Sequence, residues 1–270
     1  MHMLSVMIVG LAMGTTLSQA VSVAVSLLVI VKRNTGISLT KADLRPDRAV
    51  MGRLLKIGIP IALQDGFIQV SFMVITIMAN RRGLTDAAAV GIVEKIIGFL
   101  FLVPSSMLST VSALGAQNIG TGKPDRAKAT LGCAIAITLG FTSLIVILVE
   151  FLAEPIMVGL FTPDEAVVLS GGQYLRGYIW DCFFAGVQFS FSGYFCAIGR
   201  SGLSFLHNTL SILLVRIPGA YLASRFFPAT LLPMGLANAA GSLFSILVCL
   251  IAYGALLHGE RRGHGALSDR

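Results

Sequence analysis

The chain has 270 residues, a formal net charge of +7 and a composition 55% apolar but only 12% charged. Soluble domains carry about 25% charged residues, so the composition argues against a soluble enzyme, a disordered chain and a nucleic-acid-binding domain. The apolar residues form long unbroken runs rather than the every-second-residue alternation of a membrane β-barrel, and the sequence reads as an all-α membrane protein with lipid as its surroundings.

A membrane-crossing helix takes about 20 apolar residues, and seven runs fit: 4–31, 57–79, 87–113, 129–152, 174–198, 203–224 and 232–257. The first is too long for a signal-peptide core, and its basic flank, Lys32 and Arg33, follows it. Residues 1–31 therefore read as a lone span and 57–257 as a six-helix bundle. A basic linker, 32–56, separates them, and 258–270 form a short tail. Within the linker Val50, Leu54 and Ile57 recur at helical spacing. The segment reads either as an amphipathic surface helix or as a solvated connector.

Basic residues set the expected orientation. Fourteen of the twenty Lys and Arg fall in one set of alternating segments, and Arg81, Arg82 and Arg225 fall in the other. Lys95, Arg176 and Arg216 lie within runs. The positive-inside rule then puts the C-terminus in the cytoplasm and the N-terminus outside, in a multi-pass protein of the plasma (inner) membrane. Cys133, Cys182, Cys196 and Cys249 lie in apolar runs without a CxxC pair. They read as small apolar groups rather than disulfides or metal ligands.

Ionisable groups inside a bilayer are costly and mark functional cavities or interhelical pairs. Asp65, Glu94 and Asp181 qualify. At about 1.5 Å per residue, Gln69 lies about 18 Å from the inner boundary, and Glu94 and Asp181 about 10 Å below the outer one. In a core of about 30 Å these three share a level. Asp65 and Gln69 are four residues apart on one helix face. Asp181, Gln188 and Ser192 follow at i, i+7 and i+11 on another. Such stripes read either as a hydrated cleft, where a carboxylate exchanges H+ or Na+, or as polar contacts between helices. Lys95 gives Glu94 a further reading at the interface. Pro104 removes a helix hydrogen bond and frees a carbonyl near Leu100, a candidate hinge or a static kink. Arg216 either reaches the outer boundary or pairs with an acid. His2, His207, His258 and His264 read as interfacial. No Walker A, HExxH or nucleophile–base arrangement occurs, so no enzyme is expected, and no cofactor beyond a coupling ion, H+ or Na+.

Several stretches resemble one family, the multidrug and toxic compound extrusion (MATE) transporters. Leu114-Gly-Ala-Gln-Asn-Ile-Gly-Thr-Gly-Lys-Pro-Asp-Arg-Ala127 is similar to the family's loop after the second helix of a bundle. Gly159-Leu-Phe-Thr-Pro-Asp164, followed by Gln173-Tyr-Leu-Arg176, resembles the entry to its tenth helix. Leu214-Val-Arg-Ile-Pro-Gly-Ala-Tyr-Leu222 resembles its eleventh, and Gly10 to Arg33, with Thr16, Ser18 and Gln19, the end of its first bundle.

The resemblance implies two six-helix bundles around a central cavity, of which this chain would supply the sixth to twelfth helices as a truncated polypeptide. It implies cation-coupled efflux of small organic, cationic, drug-like substrates, working with a second bundle or a second copy. The positions of the coupling acids in one branch of the family are similar to Gln69 and Ala185 here, with Asp65 and Asp181 each one turn earlier. The other branch's first-helix Asp has no counterpart, and Cys196 stands where the family often has a basic residue. The alternatives are a flippase of the same superfamily for a lipid-linked or amphipathic anion, which would need basic residues around its cavity, and a non-transporting remnant or half-transporter partner.

Overall fold

The structure, a computed structural model, describes residues 2–32, 47–154 and 161–268. It divides into two units, Met1–Met51 and Gly52–Arg270. In the first, α1 (His2–Lys32) is one apolar helix. The expectations for residues 33–46 lie outside the described residues.

Helix α2 (Arg48–Arg82) starts ahead of the apolar run, with Arg48–Met51 assigned to the first unit and the rest to the second. The Asp47 carboxylate accepts from the backbone N–H of Ala49 at 2.7 Å, an N-cap that satisfies an otherwise orphaned donor. Val50, Leu54 and Ile57 are therefore early turns of the spanning helix, not a separate surface helix. The run 87–113 forms α3 (Leu84–Leu100) and α4 (Leu102–Gly120), interrupted at Phe101. Then come α5 (Pro124–Leu152) and α6 (Glu165–Ala197), whose N-cap is Asp164. The run 203–224 forms α7 (Ser201–Ser211), a π-helical turn (Ile212–Arg216) and α8 (Ile217–Phe226). Finally α9 (Leu232–Ser268) continues through the expected tail. Among the described residues, four stretches are long and apolar enough to cross a membrane: Arg48–Arg82, Leu84–Gly120, Pro124–Leu152 and Leu232–His258.

The middle of the bundle belongs to α6, which packs against α9, α4, α5 and α3. That position explains its polarity. Asp181, Gln188, Ser190 and Ser192 are all buried against protein rather than lipid. Lipid tails are as apolar as leucine, so helices associate through close packing of small residues and interhelical hydrogen bonds. A Cβ on Gly235 of α9 would stand 2.5 Å from the Tyr174 carbonyl of α6, and one on Gly177 of α6 would strike the α9 backbone at Leu232 in return. On its other sides Gly186 abuts Thr138 of α5, and Gly193 abuts the Leu108 carbonyl of α4.

Two apolar cores result. One gathers Ile75, Val90, Val93, Tyr174, Ile179 and Met234. The other gathers Val111, Leu131, Phe191, Phe195 and Cys249. Between them α6 presents its polar residues. Cys182, Cys196 and Cys249 are buried as expected, whereas Cys133 is exposed on α5.

The α6–α9 crossing yields a prediction. Gly235→Ala forces two backbones apart and lowers stability by about 1–3 kcal/mol, the usual cost of overpacking. Gly140→Ala on α5, which meets nothing within 4 Å, costs nothing. Thermal unfolding of the two purified variants in detergent checks the contrast.

Candidate functional site

The polar face of α6 meets three partners in turn. Nearest its N-terminal end, Asp181 is fully buried and both its oxygens accept from Arg216 Nη2 at 3.0 Å. The Ser242 hydroxyl of α9 also donates to Asp181. Two turns on, Gln188 Nε2 donates to Asn208 Oδ1 of α7 at 2.9 Å. A further turn on, the Ser192 hydroxyl is hydrogen-bonded to His207 Nε2 at 2.9 Å, and His207 Nδ1 to the Ser245 hydroxyl of α9 at 2.6 Å. His207 is therefore a buried link among α6, α7 and α9, not an interfacial residue. Its position within an apolar run is what hides it from membrane and water alike.

The π-helical turn has a structural role at this site. One residue more per turn widens the helix, and Arg216 closes the turn with its guanidinium on Asp181. Pro218 sits just beyond it, at the start of α8. Of the two sequence readings for Arg216, pairing with an acid is the one observed. Asp181 accordingly stands in an interhelical ion pair.

A cavity of about 300 Å³ opens beside this seam. Its polar lining includes Gln69, Glu94, Lys95, Gln188, Asn208 and Arg216, and its apolar walls include Phe72, Phe101 and Phe189. Glu94 is half-buried and accepts from the Thr76 hydroxyl of α2 at 3.0 Å. Ala185, one turn from Asp181, also faces the cavity.

Of the residues singled out in the sequence, Gln69, Glu94 and Gln188 come together here, and Asp181 stands behind Arg216 and Ser242. Asp65 does not join them. It is exposed on α2, one turn from Gln69 and off the lining. At its level α2 leans on α7 through the Ser204–Gln64 hydrogen bond (2.6 Å) and the Phe67–Phe205 ring contact (5.9 Å).

Pro104 lies where α3 gives way to α4, close to the cavity-lining Phe101. The carbonyl it frees is that of Leu100, as the sequence implies, and the Cys182 thiol of α6 reaches it at 3.8 Å. The hydroxyls of Ser105, Ser106, Ser109 and Thr110 bond back to their own helix.

Three residues escaped the sequence reading. Asn208, Ser242 and Ser245 complete the polar face. A signal existed, since Asn238, Ser242 and Ser245 recur at intervals of four and three along an otherwise apolar run.

The family model described as MatE matches residues 60–222. The chain belongs to the MATE family. The relatives it matches are named as transporters, not enzymes. The multidrug export protein MepA of Staphylococcus aureus is 24% identical over 246 residues, 91% of this chain and 54% of that protein. A protein named FAD transporter from Shewanella oneidensis is 27% identical over 219 residues, 80% of this chain and 47% of that one. The chain thus spans about half the length of the curated relatives it matches.

Among solved structures, an outward-facing multidrug resistance MATE transporter of the MOP superfamily superposes with a TM-score of 0.79 at 18% identity, over 88% of this chain and 55% of that one. A MOP superfamily transporter from Pyrococcus furiosus gives 0.72 at 19%, over 89% and 53%. At such identities the likeness establishes the fold alone.

The ion pair yields a prediction. Asp181→Asn would leave the Arg216 guanidinium buried without a counter-charge, a loss of about 3–5 kcal/mol. The variant is therefore expected to lower the unfolding temperature and accumulation of the protein. The double variant Asp181→Leu/Arg216→Met, apolar at both positions, is expected to recover a large part of the loss. Thermal melts of the three purified proteins test this.

Proposed function

We propose that residues 57–257 form the cavity-bearing bundle of a cation-coupled multidrug exporter. It takes small organic cations and works opposite a second bundle, whichever polypeptide supplies it. The observation that carries this reading is Glu94, a carboxylate on the wall of a cavity otherwise rich in aromatic side chains. Phe72, Phe101 and Phe189 offer ring faces that suit a flat apolar cation, and Glu94 supplies its counter-charge. A carboxylate that alternately holds the substrate and H+ or Na+ couples the two, because the two cations compete for one negative charge.

Asp181 has a different part in this scheme. Its charge is committed to Arg216, so it holds the cavity wall in shape and leaves ion exchange to Glu94. Gln69 and Gln188 add hydrogen bonds to the bound molecule. The break at Phe101 and Pro104 lets α3, which carries Glu94, tilt relative to α4. Alternating access by rocking of two bundles is the general scheme of such transporters.

The test is efflux of a cationic dye from cells expressing the protein, driven by an imposed proton or sodium gradient. Glu94→Gln lowers gradient-driven efflux by about tenfold or more, the effect of about 1.4 kcal/mol of lost ion affinity, at unchanged abundance. Gradient-driven efflux by the unaltered protein that Glu94→Gln leaves undiminished overturns the assignment.

A second reading rests on Lys95 and Arg216, which place positive charge on the same lining. It makes the substrate an amphipathic anion, moved as a flippase moves its lipid. Under that reading Lys95→Gln, rather than Glu94→Gln, stops transport, and the dye that moves is anionic.

The orientation belongs to the proposal too: inner membrane, N-terminus outside, C-terminus in the cytoplasm. Single cysteines placed within 32–56, in a chain lacking its four native ones, are expected to react with an impermeant maleimide only from the cytoplasmic side.

A further inference from the structure

At the far end of the bundle from the α6–α7 turn, α2 and α8 finish side by side, and each carries an arginine in its last turn. Helix C-termini attract cations because their last carbonyls are unpaired. Here those acceptors are already taken. Arg82 donates to the carbonyls of Ser224, Phe227, Pro228 and Thr230 at 2.9–3.3 Å, and its Nε pairs with Asp86 at 2.7 Å. Arg81 and Arg225 are left over. Arg225 donates to the Tyr221 hydroxyl at 3.5 Å, and among the described residues neither arginine has a carboxylate partner.

The two arginines flank one groove of about 250 Å³, completed by Met78, Tyr221 and Ser224. Two guanidinium groups facing a shared space repel each other unless an anion lies between them. Guanidinium is the group best suited to grip a phosphate, with paired N–H donors matched to two oxygens. The Ser224 and Tyr221 hydroxyls add donors at the same place. One turn back from Arg81 on α2 and from Arg225 on α8 the surface is apolar and exposed, at Ile77 and Leu222. Cationic donors at the end of a span above a bare apolar wall match a molecule with a phosphate head and acyl tails.

We propose that the groove between the ends of α2 and α8 binds the phosphodiester headgroup of an anionic phospholipid. Arg81 and Arg225 grip the phosphate, and the tails lie along Ile77 and Leu222. The site is separate from the central cavity and independent of which cation or substrate that cavity takes.

The chain's single tryptophan permits a local probe. With Trp180→Phe as background, Phe226→Trp places an indole beside the groove. The protein is reconstituted in phosphatidylcholine vesicles containing increasing amounts of brominated phosphatidylglycerol. Brominated phosphatidylglycerol is expected to quench the indole at about 30-fold lower mole fraction than brominated phosphatidylcholine, at about 1 kcal/mol for each arginine near an anionic surface. Arg81→Gln/Arg225→Gln removes that preference, and Arg81→Lys/Arg225→Lys restores part of it. Among the described residues neither side chain has a carboxylate partner, so the Gln variant is expected to fold, which a thermal melt verifies. Equal quenching by the two lipids overturns the proposal, as does an unchanged preference in the Gln variant. Displacement of the brominated lipid by millimolar inorganic phosphate overturns it too, since the groove would then be a site for free phosphate.

Discussion

A guanidinium and a carboxylate sealed in the middle of a helical bundle must pair, because either one left alone is an uncompensated buried charge worth several kcal/mol of lost stability. Arg216 and Asp181 meet that condition, and much of the bundle is arranged so that they can. The π-helical turn places Arg216, Ser242 of α9 adds a second hydrogen bond, and the packing of α6 at the centre buries Asp181 completely. An apolar pair of the same volume would hold helices together at least as well. What the ion pair adds is registry, since it fixes the rotation of three helices against one another. The cavity walls formed by Gln188, Asn208 and Arg216 inherit that rotation.

The two apolar cores and the polar band between them follow from the same arrangement. A helix face turned to lipid can be apolar throughout, as Ile137, Leu144, Ile147 and Leu148 are on the exposed side of α5. A helix surrounded by other helices need not be, and α6 carries its hydrogen-bonding groups where only neighbouring helices can satisfy them. The lower rung, Ser192–His207–Ser245, joins α6, α7 and α9 through neutral groups. The upper rung joins α6, the π turn and α9 through charges. The cavity opens beside this ladder, so substrate chemistry and structural chemistry share Gln188, Asn208 and Arg216.

How much of this could be read beforehand differs by kind of information. The seven apolar runs fall on α1, α2, α3–α4, α5, α6, α7–α8 and α9, because span length is a property of the chain alone. The stripe Asp181–Gln188–Ser192 was legible from spacing, and the freed Leu100 carbonyl from Pro104, because both follow from helix geometry. The partners of that stripe were not legible, since periodicity describes one helix and never says which face of another it meets. Arg216 is the clearest case: only a π turn, invisible in composition, decides where it points. Asp65 lies off the cavity lining for a different reason. It does share a face with Gln69, but the cavity ends before its level, where α2 rests on α7. The match to the MATE family model supplies what neither spacing nor depth provides, a placement of these helices within a known fold.

The reciprocal contact of Gly177 and Gly235 bears on how this protein can be engineered or can drift. Replacing a helical glycine by alanine is a common route to stabilisation, at about 1 kcal/mol in helix propensity. Here that route is open on α5, at Gly132 and Gly140, where a methyl group would meet nothing. It is closed at the α6–α9 crossing, where the obstacle is main chain that no rotamer change can relieve. The two positions therefore behave as a single inherited trait: neither can acquire a side chain while the two helices keep their separation, whatever else in the sequence changes.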